Sequence, residues 1–328
     1  MPRDTQYAVI EIGMNHPGEI EPLAKLARPH VAMITTVAAA HLEAFENVEG
    51  IAREKAAIMA GLEPNGVAVL NADLPTSQIL CGKADAVGAS KIMFGVAAKE
   101  FHLDTVQLSG NTTIVRANVR GAPLMFKIQT AGQHFAMNGL GALAVAQALG
   151  ADLAIAANDL GAWQPYKGRG AREEILLDPV ETHLTLTLLD DAYNANPTSL
   201  GAALDVLAAA DVTDGIGRIA KGRRIAFLGD MKELGLDEAQ LHRDIASHPA
   251  IDQIDVIHAI GPLMRHTYEA LPIEKRGGWA ASAEEMTPQV RALVDAGDVV
   301  LAKGSLSMQL ARIVDAVRKL GHVATKDE

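Results

Sequence analysis

One cysteine, Cys81, stands in 328 residues. A lone thiol can form neither an intrachain disulfide nor a thiolate metal site. Aromatic residues make up 4% of the chain against 49% hydrophobic residues, so its cores must be built from Ala, Val, Leu and Ile. Positive charge is in deficit. Lys and Arg number 29 and Asp and Glu 40, a net charge of -11, which argues against nucleic acid as the main partner. No basic stretch followed by an apolar one opens the sequence, so no signal peptide is expected. Residues 131–151 carry no formal charge, yet Gln133, His134, Asn138, Gln147 and several glycines interrupt them. They read as a loop and a buried Ala/Gly-rich helix, not a membrane span. The chain is expected to be cytoplasmic. Two phosphate-binding motifs are also missing. G-x-x-x-x-G-K-[ST] occurs nowhere, and Lys303-Gly304-Ser305 has the wrong order and glycine spacing. No G-x-G-x-x-G follows any expected strand, which weakens a dinucleotide reading.

At this length two domains are the natural expectation. Breakers crowd into Trp163-Gln164-Pro165-Tyr166-Lys167-Gly168-Arg169-Gly170, which places the boundary so that the domains cover 1–165 and 166–328. In the first, the apolar run 7–10 ending in Glu11 reads as a buried parallel strand. A helix is expected over 18–27, a strand over 31–37 and a helix over 48–62 capped by Asn47. A strand follows over 66–70. Residues 101–108, 111–118 and 123–129 read as an antiparallel meander, and 133–149 as a helix. In the second domain, strands near 174–177, 183–189, 224–228, 255–260 and 299–302 alternate with helices, the last capped by Ser305 and running to 320. Such alternation predicts a doubly wound, Rossmann-like sheet.

The most informative segment is Asp190-Asp191-Ala192-Tyr193-Asn194-Ala195-Asn196-Pro197-Thr198-Ser199. It follows a strand and opens a helix, the place where open α/β sheets hold their ligands. A plain turn needs one Asn or Asp, not four such groups and a Tyr.

A second segment, Gly229-Asp230-Met231-Lys232-Glu233-Leu234-Gly235, follows the next strand. This ordered pair of motifs resembles the Mur ligases, most of all those that add D-alanyl-D-alanine to UDP-MurNAc-tripeptide. Glu11-Ile12-Gly13-Met14-Asn15-His16-Pro17-Gly18-Glu19-Ile20 and Ala40-His41-Leu42-Glu43-Ala44-Phe45, with Lys55 downstream, are similar to the family's central domain. The resemblance implies α/β architecture, with an incomplete P-loop-type central ATPase domain followed by a Rossmann-like doubly wound carboxyl-terminal domain. It implies ATP and Mg2+ as cofactors, an acyl phosphate intermediate, UDP-MurNAc-tripeptide and D-Ala-D-Ala as substrates, and a monomer. In the family the UDP-binding domain and P-loop lie upstream of the Glu11 segment. The sequence therefore looks like the carboxyl two-thirds of such an enzyme, expected to be inactive alone.

The resemblance also assigns residues. Glu11, His41 and Lys55 match the metal site. Lys55 lies four residues from both Ile51 and Met59, so its stem shares an apolar helix face, and a partly buried amine with a lowered pKa can add carbon dioxide to give a carbamate. Asn71, Asp73, His134 and Asn138 match positions near the nucleotide base, although Phe135 stands where the family often has Asn. Arg169 matches an arginine that reaches ATP phosphates, and Asp191 a residue on the ribose. Tyr193, Asn194 and Asn196 are expected to line the cleft. Lys303 matches a lysine near the peptide carboxylate or reacting phosphate, with Leu306 where Arg is common. The alternatives are another ligase of the superfamily, such as a folylpolyglutamate synthetase, and a non-catalytic nucleotide- or peptide-binding module. An oxidoreductase is a more distant reading.

Overall fold

The computed structural model describes residues 2–324. They cluster into two compact units. One comprises the chain to Thr105 with Arg116–Met125 and Met137–Ala157. The other comprises Val106–Val115, Phe126–Ala136 and the chain from Asn158 on.

A six-stranded sheet keeps its strands in sequence order: β1 (Val31–Ile34), β2 (Val67–Asn71), β3 (Ser90–Gly95), β4 (Phe101–Ser109), β5 (Thr112–Val119) and β6 (Ala122–Ile128). The pairs from β1 to β4 are parallel. Helix α1 (Ile20–Ala27) precedes β1, α2 (Val48–Ala56) leads to β2, and α3 (Ser77–Ala86) links β2 to β3. Asn47 caps α2 as expected, its side chain accepting from the Gly50 N–H. A 3-10 turn, Ala57–Gly61, then packs on α1. Ile51, Met59, Leu70 and Leu80 form the centre of this core. Helices α4 (Gln133–Ala148) and α5 (Leu153–Leu160) follow the β4–β6 strands.

The expected strand over 7–10 does not form. The segment is irregular, with Tyr7 63% and Val9 100% exposed. An apolar run becomes a strand only beside a backbone partner, and β1, the first strand of the sheet, pairs with β2 alone. Helix α3, strand β3 and helix α5 were not anticipated. Gly82 lies within α3, and Thr76 gives the helix no side-chain cap, so local signals there are weak.

The second sheet has seven strands in the order β11-β10-β9-β12-β8-β7-β13. They are β7 (Ala171–Leu176), β8 (Thr185–Asp191), β9 (Arg224–Gly229), β10 (Val256–Ile260), β11 (Arg276–Ala280), β12 (Val299–Lys303) and β13 (His322–Val323). The five from β8 to β11 are parallel, whereas β7 and β13 are antiparallel to their neighbours. Alternate residues of β9 face opposite cores: Ala226 and Leu228 join Leu200, Leu204 and Leu207 of α6 (Pro197–Ala208), while Ile225 and Phe227 join Ile313 and Val317. Helices α7 (Glu238–Ile245), α8 (Met264–Ala270), α9 (Ala283–Met286), α10 (Val290–Leu293) and α11 (Ala311–Arg318) complete the layers. Ser305 does not cap the last helix. Gln309 turns left-handed at φ 55° and α11 starts only at Ala311. Among the described residues no helix is long and apolar enough to cross a membrane.

Candidate functional site

In the first unit, two carboxylates shape the loop before α1. Glu54 accepts the N–H groups of Gly18 and Ile20 at 2.9 Å each. Glu19 accepts those of Asn15 at 2.7 Å and His16 at 3.2 Å. Glu54 went unnoticed in the sequence because its partners lie more than thirty positions away. Its neighbour Lys55 is half-buried, with Ile51 and Met59 fully buried on the same face. Burial pushes the Lys55 ammonium below its ordinary range. Among the described residues its amine has no hydrogen-bonding or ion-pair partner. His41 takes a left-handed backbone, φ 58°, in the loop after β1. Glu11 is exposed on the irregular segment and not, as expected, at a strand end. Among the described residues no three His, Cys, Asp or Glu side chains converge on a metal position.

Asn71 and Asp73 end β2, and their polar atoms are engaged within the fold. Asn71 donates to the Thr35 carbonyl and accepts the Asp73 N–H, both at 2.9 Å. The Asp73 carboxylate accepts the N–H groups of Val96 at 2.8 Å and Ala97 at 2.7 Å. Gly95, at φ 132°, lets the chain pass this carboxylate, because a Cβ there would sit 2.5 Å from an Asp73 oxygen. These two residues tie the turn after β2 to the turn after β3. Asn138 is exposed on α4. In the second unit, His134 is exposed in the first turn of α4, its ring 4.0 Å from that of Phe135.

The carboxyl ends of β8, β12 and β9 lie side by side in the second unit. Lys303 and Asp191 are directly paired residues of β12 and β8. Lys303, 2% exposed, donates to the Asp191 carboxylate at 2.7 Å and to the Asn194 carbonyl at 3.0 Å. Burial still holds the Asp191 carboxyl above its ordinary value, with Lys303 opposing. The pleat turns Asp190 to the other face, where Arg318 binds it at 2.8 Å and also binds Glu173. Asn196 caps α6 in a reciprocal capping box with Ser199, and Pro197 opens the helix. The Arg169 guanidinium lies 4.1 Å from the centre of the exposed Tyr193 ring. It has no ion-pair partner among the described residues. Asn194 is also exposed.

At the end of β9, the fully buried Asp230 binds Lys232 at 2.9 Å and accepts the Met264 N–H at 2.7 Å. His242 accepts the Met231 N–H at 2.9 Å, and Ser305 accepts that of Lys232 at 2.9 Å. The GDMKELG loop is thus pinned to three other elements. Gly229 and Gly304 make this possible, since a Cβ on Gly304 would lie 2.9 Å from the Gly229 Cα. The sequence singled out this motif, but not Asp230, Lys232 or His242 as its anchors. The chain runs outward from β8 through β9, β10 and β11, then returns to insert β12 between β8 and β9. A crevice at the carboxyl ends of strands, where strand order reverses, is the common ligand position of open α/β sheets.

Comparison with known proteins bears on this arrangement. The Mur ligase middle domain matches residues 1–146, and the Mur ligase glutamate ligase domain matches 177–306. The chain belongs to the Mur ligase family. Among its curated relatives, the UDP-N-acetylmuramoyl-tripeptide–D-alanyl-D-alanine ligase of Rickettsia prowazekii is 28% identical, over 96% of this chain and 67% of that protein. The enzyme of the same name from Haemophilus influenzae is 31% identical, over 95% of this chain and 64% of its own. The crystal structure of MurF from Acinetobacter baumannii superposes with a TM-score of 0.82 at 27% identity, covering 97% of this chain and 66% of that one. This Mur ligase chain therefore spans about two thirds of the length of the curated relatives it matches. The α/β architecture expected from the sequence is the observed one.

Proposed function

We propose that the chain forms the larger part of a cytoplasmic UDP-MurNAc-tripeptide–D-alanyl-D-alanine ligase, with its domains divided at about residue 165. The observation that carries this reading is the row of strand ends in the second unit, where Lys303, Asp191 and Asn194 are fixed beside Arg169 and Tyr193. Relatives with that name match both domains.

In this reading ATP and Mg2+ are required and the new bond is an amide. ATP supplies the phosphoryl group that activates the tripeptide carboxylate. The unpaired Arg169 guanidinium is suited to phosphate oxygens, because its donors form a planar fork. Tyr193 holds that guanidinium by its ring face. Asp191 offers its carboxylate to a ribose, and Lys303 keeps that carboxylate charged and oriented. Exposed His134 and Asn194 of the second unit remain open to the nucleotide. Asn196 acts by shaping the turn that leads into α6, and Asn71 and Asp73 by shaping the turns after β2 and β3 in the first unit. Glu11, His41 and Lys55 are the residues that would hold Mg2+ in this reading, although among the described residues no three His, Cys, Asp or Glu side chains converge on one position. Lys55 is a candidate for carbamate formation, because its amine is half-buried, unpaired and easier to deprotonate than an exposed lysine. Labelled bicarbonate at pH 8 should give a carbon-13 carbamate signal that Lys55→Arg removes. A spectrum without it refutes that assignment.

The test of the function is phosphate release from ATP that requires both UDP-MurNAc-tripeptide and D-Ala-D-Ala. We expect none from the 328 residues alone and recovery when they are fused behind the amino-terminal third of the Haemophilus influenzae relative. A fusion that binds ATP without dipeptide-dependent release would favour a nucleotide-binding module instead. Release that accepts glutamate in place of the dipeptide would favour another ligase of the superfamily.

A further inference from the structure

A cavity of about 240 Å³ opens in the second unit, away from the strand ends. Arg172 of β7, Val206 of α6 and Asp211 of the following turn line it, with Ser109 at the end of β4 and Gly110 just after it. Helix α6 separates it from the candidate site. Asn196 caps one end of that helix and Val206 lies near the other, about 15 Å along the axis.

Arg172 is half-buried, yet its guanidinium makes no hydrogen bond among the described residues. Burial lowers its affinity for the proton, while Asp211 and Glu174 favour the charge. Other half-buried arginines of this unit are satisfied. Arg223 binds Asp298 at 2.7 Å and the Leu293 carbonyl at 3.1 Å, and Arg224 binds the Ala210 carbonyl at 2.9 Å. A half-buried guanidinium with five unused donors is costly unless something accepts from it. Asp211 is exposed on the same cavity, and among the described residues no ion pair joins it to Arg172. The two opposite charges therefore face one space without closing it.

We propose that this cavity binds a small zwitterion, an amino acid or short peptide, with its carboxylate on Arg172 and its ammonium on Asp211. The volume is below that of pockets for drug-sized ligands, which run from about 300 Å³, so the ligand is small. A simple anion would meet Arg172 but would be opposed by Asp211, and a simple cation the reverse. Ser109 adds a hydroxyl able to donate or accept. The Arg224 contact to Ala210 holds the rim independently of Arg172, so substitution at Arg172 should leave the cavity walls in place.

The test is nitrogen-15 NMR of the arginine Nε groups of the full chain, titrated with glycylglycine to about 20 mM, with acetate and ethylamine as single-charge probes. We expect the Arg172 signal to shift with glycylglycine, at least tenfold weaker binding in Asp211→Asn, and loss of binding in Arg172→Gln. Thermal unfolding of both variants should match the parent. An unmoved Arg172 signal would overturn the proposal. Acetate binding as tightly as glycylglycine would do so too, because Asp211 would then have no part. Retained binding in a folded Arg172→Gln variant would place the ligand elsewhere and equally end it.

Discussion

His258 lies 2% exposed on β10, stacked on Phe227 with ring centroids 4.6 Å apart. Its Nδ1 accepts the Gly278 N–H at 2.8 Å. The neutral ring must then carry its proton on Nε2, which is buried without a partner. Burial, with Arg223 second, pushes its pKa down to about 4 from 6.5. The unfolded chain therefore binds more protons between those values, and stability falls as pH drops from about 6.5 to about 4. Each pKa unit corresponds to about 1.4 kcal/mol, so the full loss is on the order of 3 kcal/mol. Buried His242 is shifted in the same direction, and protonation would break its bond to the Met231 N–H. We expect urea midpoints to be lower at pH 5 than at pH 7.5. His258→Phe keeps a stacked ring and should shrink that difference. An unchanged difference would assign the acid sensitivity to other groups. The same scale shows why the candidate site was only partly readable. The run of Asp and Asn after β8 announced itself by composition. The engagement of Asn71, Asp73 and Asn196 in turns and a cap did not, because that depends on which backbone groups the folded chain brings near them.

At the scale of elements, local signals decided what the sequence revealed. Strands β8, β9 and β12 and helices α2 and α6 were legible because apolar runs and capping residues coincide in them. The run at residues 7–10 has the same apolar signal and forms no strand, because sheet pairing is a property of two segments. Helix α3 and strand β3 were hidden for the opposite reason, since their burial depends on neighbours and not on periodicity. Gly61 is a case where only packing explains the residue. A Cβ there would sit 2.2 Å from the Ala24 carbonyl oxygen and 2.8 Å from the Lys25 nitrogen, so α1 meets the Ala57–Gly61 turn backbone to backbone. Neither backbone can yield as a flexible side chain does. Gly61→Ala should force α1 outward at a cost of roughly 1–3 kcal/mol, the usual range for overpacking. Hydrogen exchange should accelerate across α1 and the 57–61 turn while β9 and β12 stay protected. Unchanged exchange in α1 would mean that the α1 packing against Gly61 does not limit the stability of that helix.

For the whole molecule, the question is whether the second sheet is self-sufficient. All seven of its strands lie between Ala171 and Val323. Both of its large cores draw only on residues from Ile175 to Val317. A doubly wound sheet with both faces covered by its own helices has the core an independent domain needs. The β7 side of the sheet is also tied from within: Arg318 links α11 to Glu173 of β7 and Asp190 of β8, and β13 pairs with β7. The compact unit that holds this sheet nevertheless also includes Val106–Val115 and Phe126–Ala136, so the two divisions make different predictions. If the boundary lies near residue 165, the segment 166–328 expressed alone should unfold in one cooperative transition. Its urea midpoint should lie close to that of β9 and β12 in the full chain, read by hydrogen exchange. If the β4–β6 segments are needed, the isolated segment should melt broadly and recover a sharp transition only when 106–165 is restored.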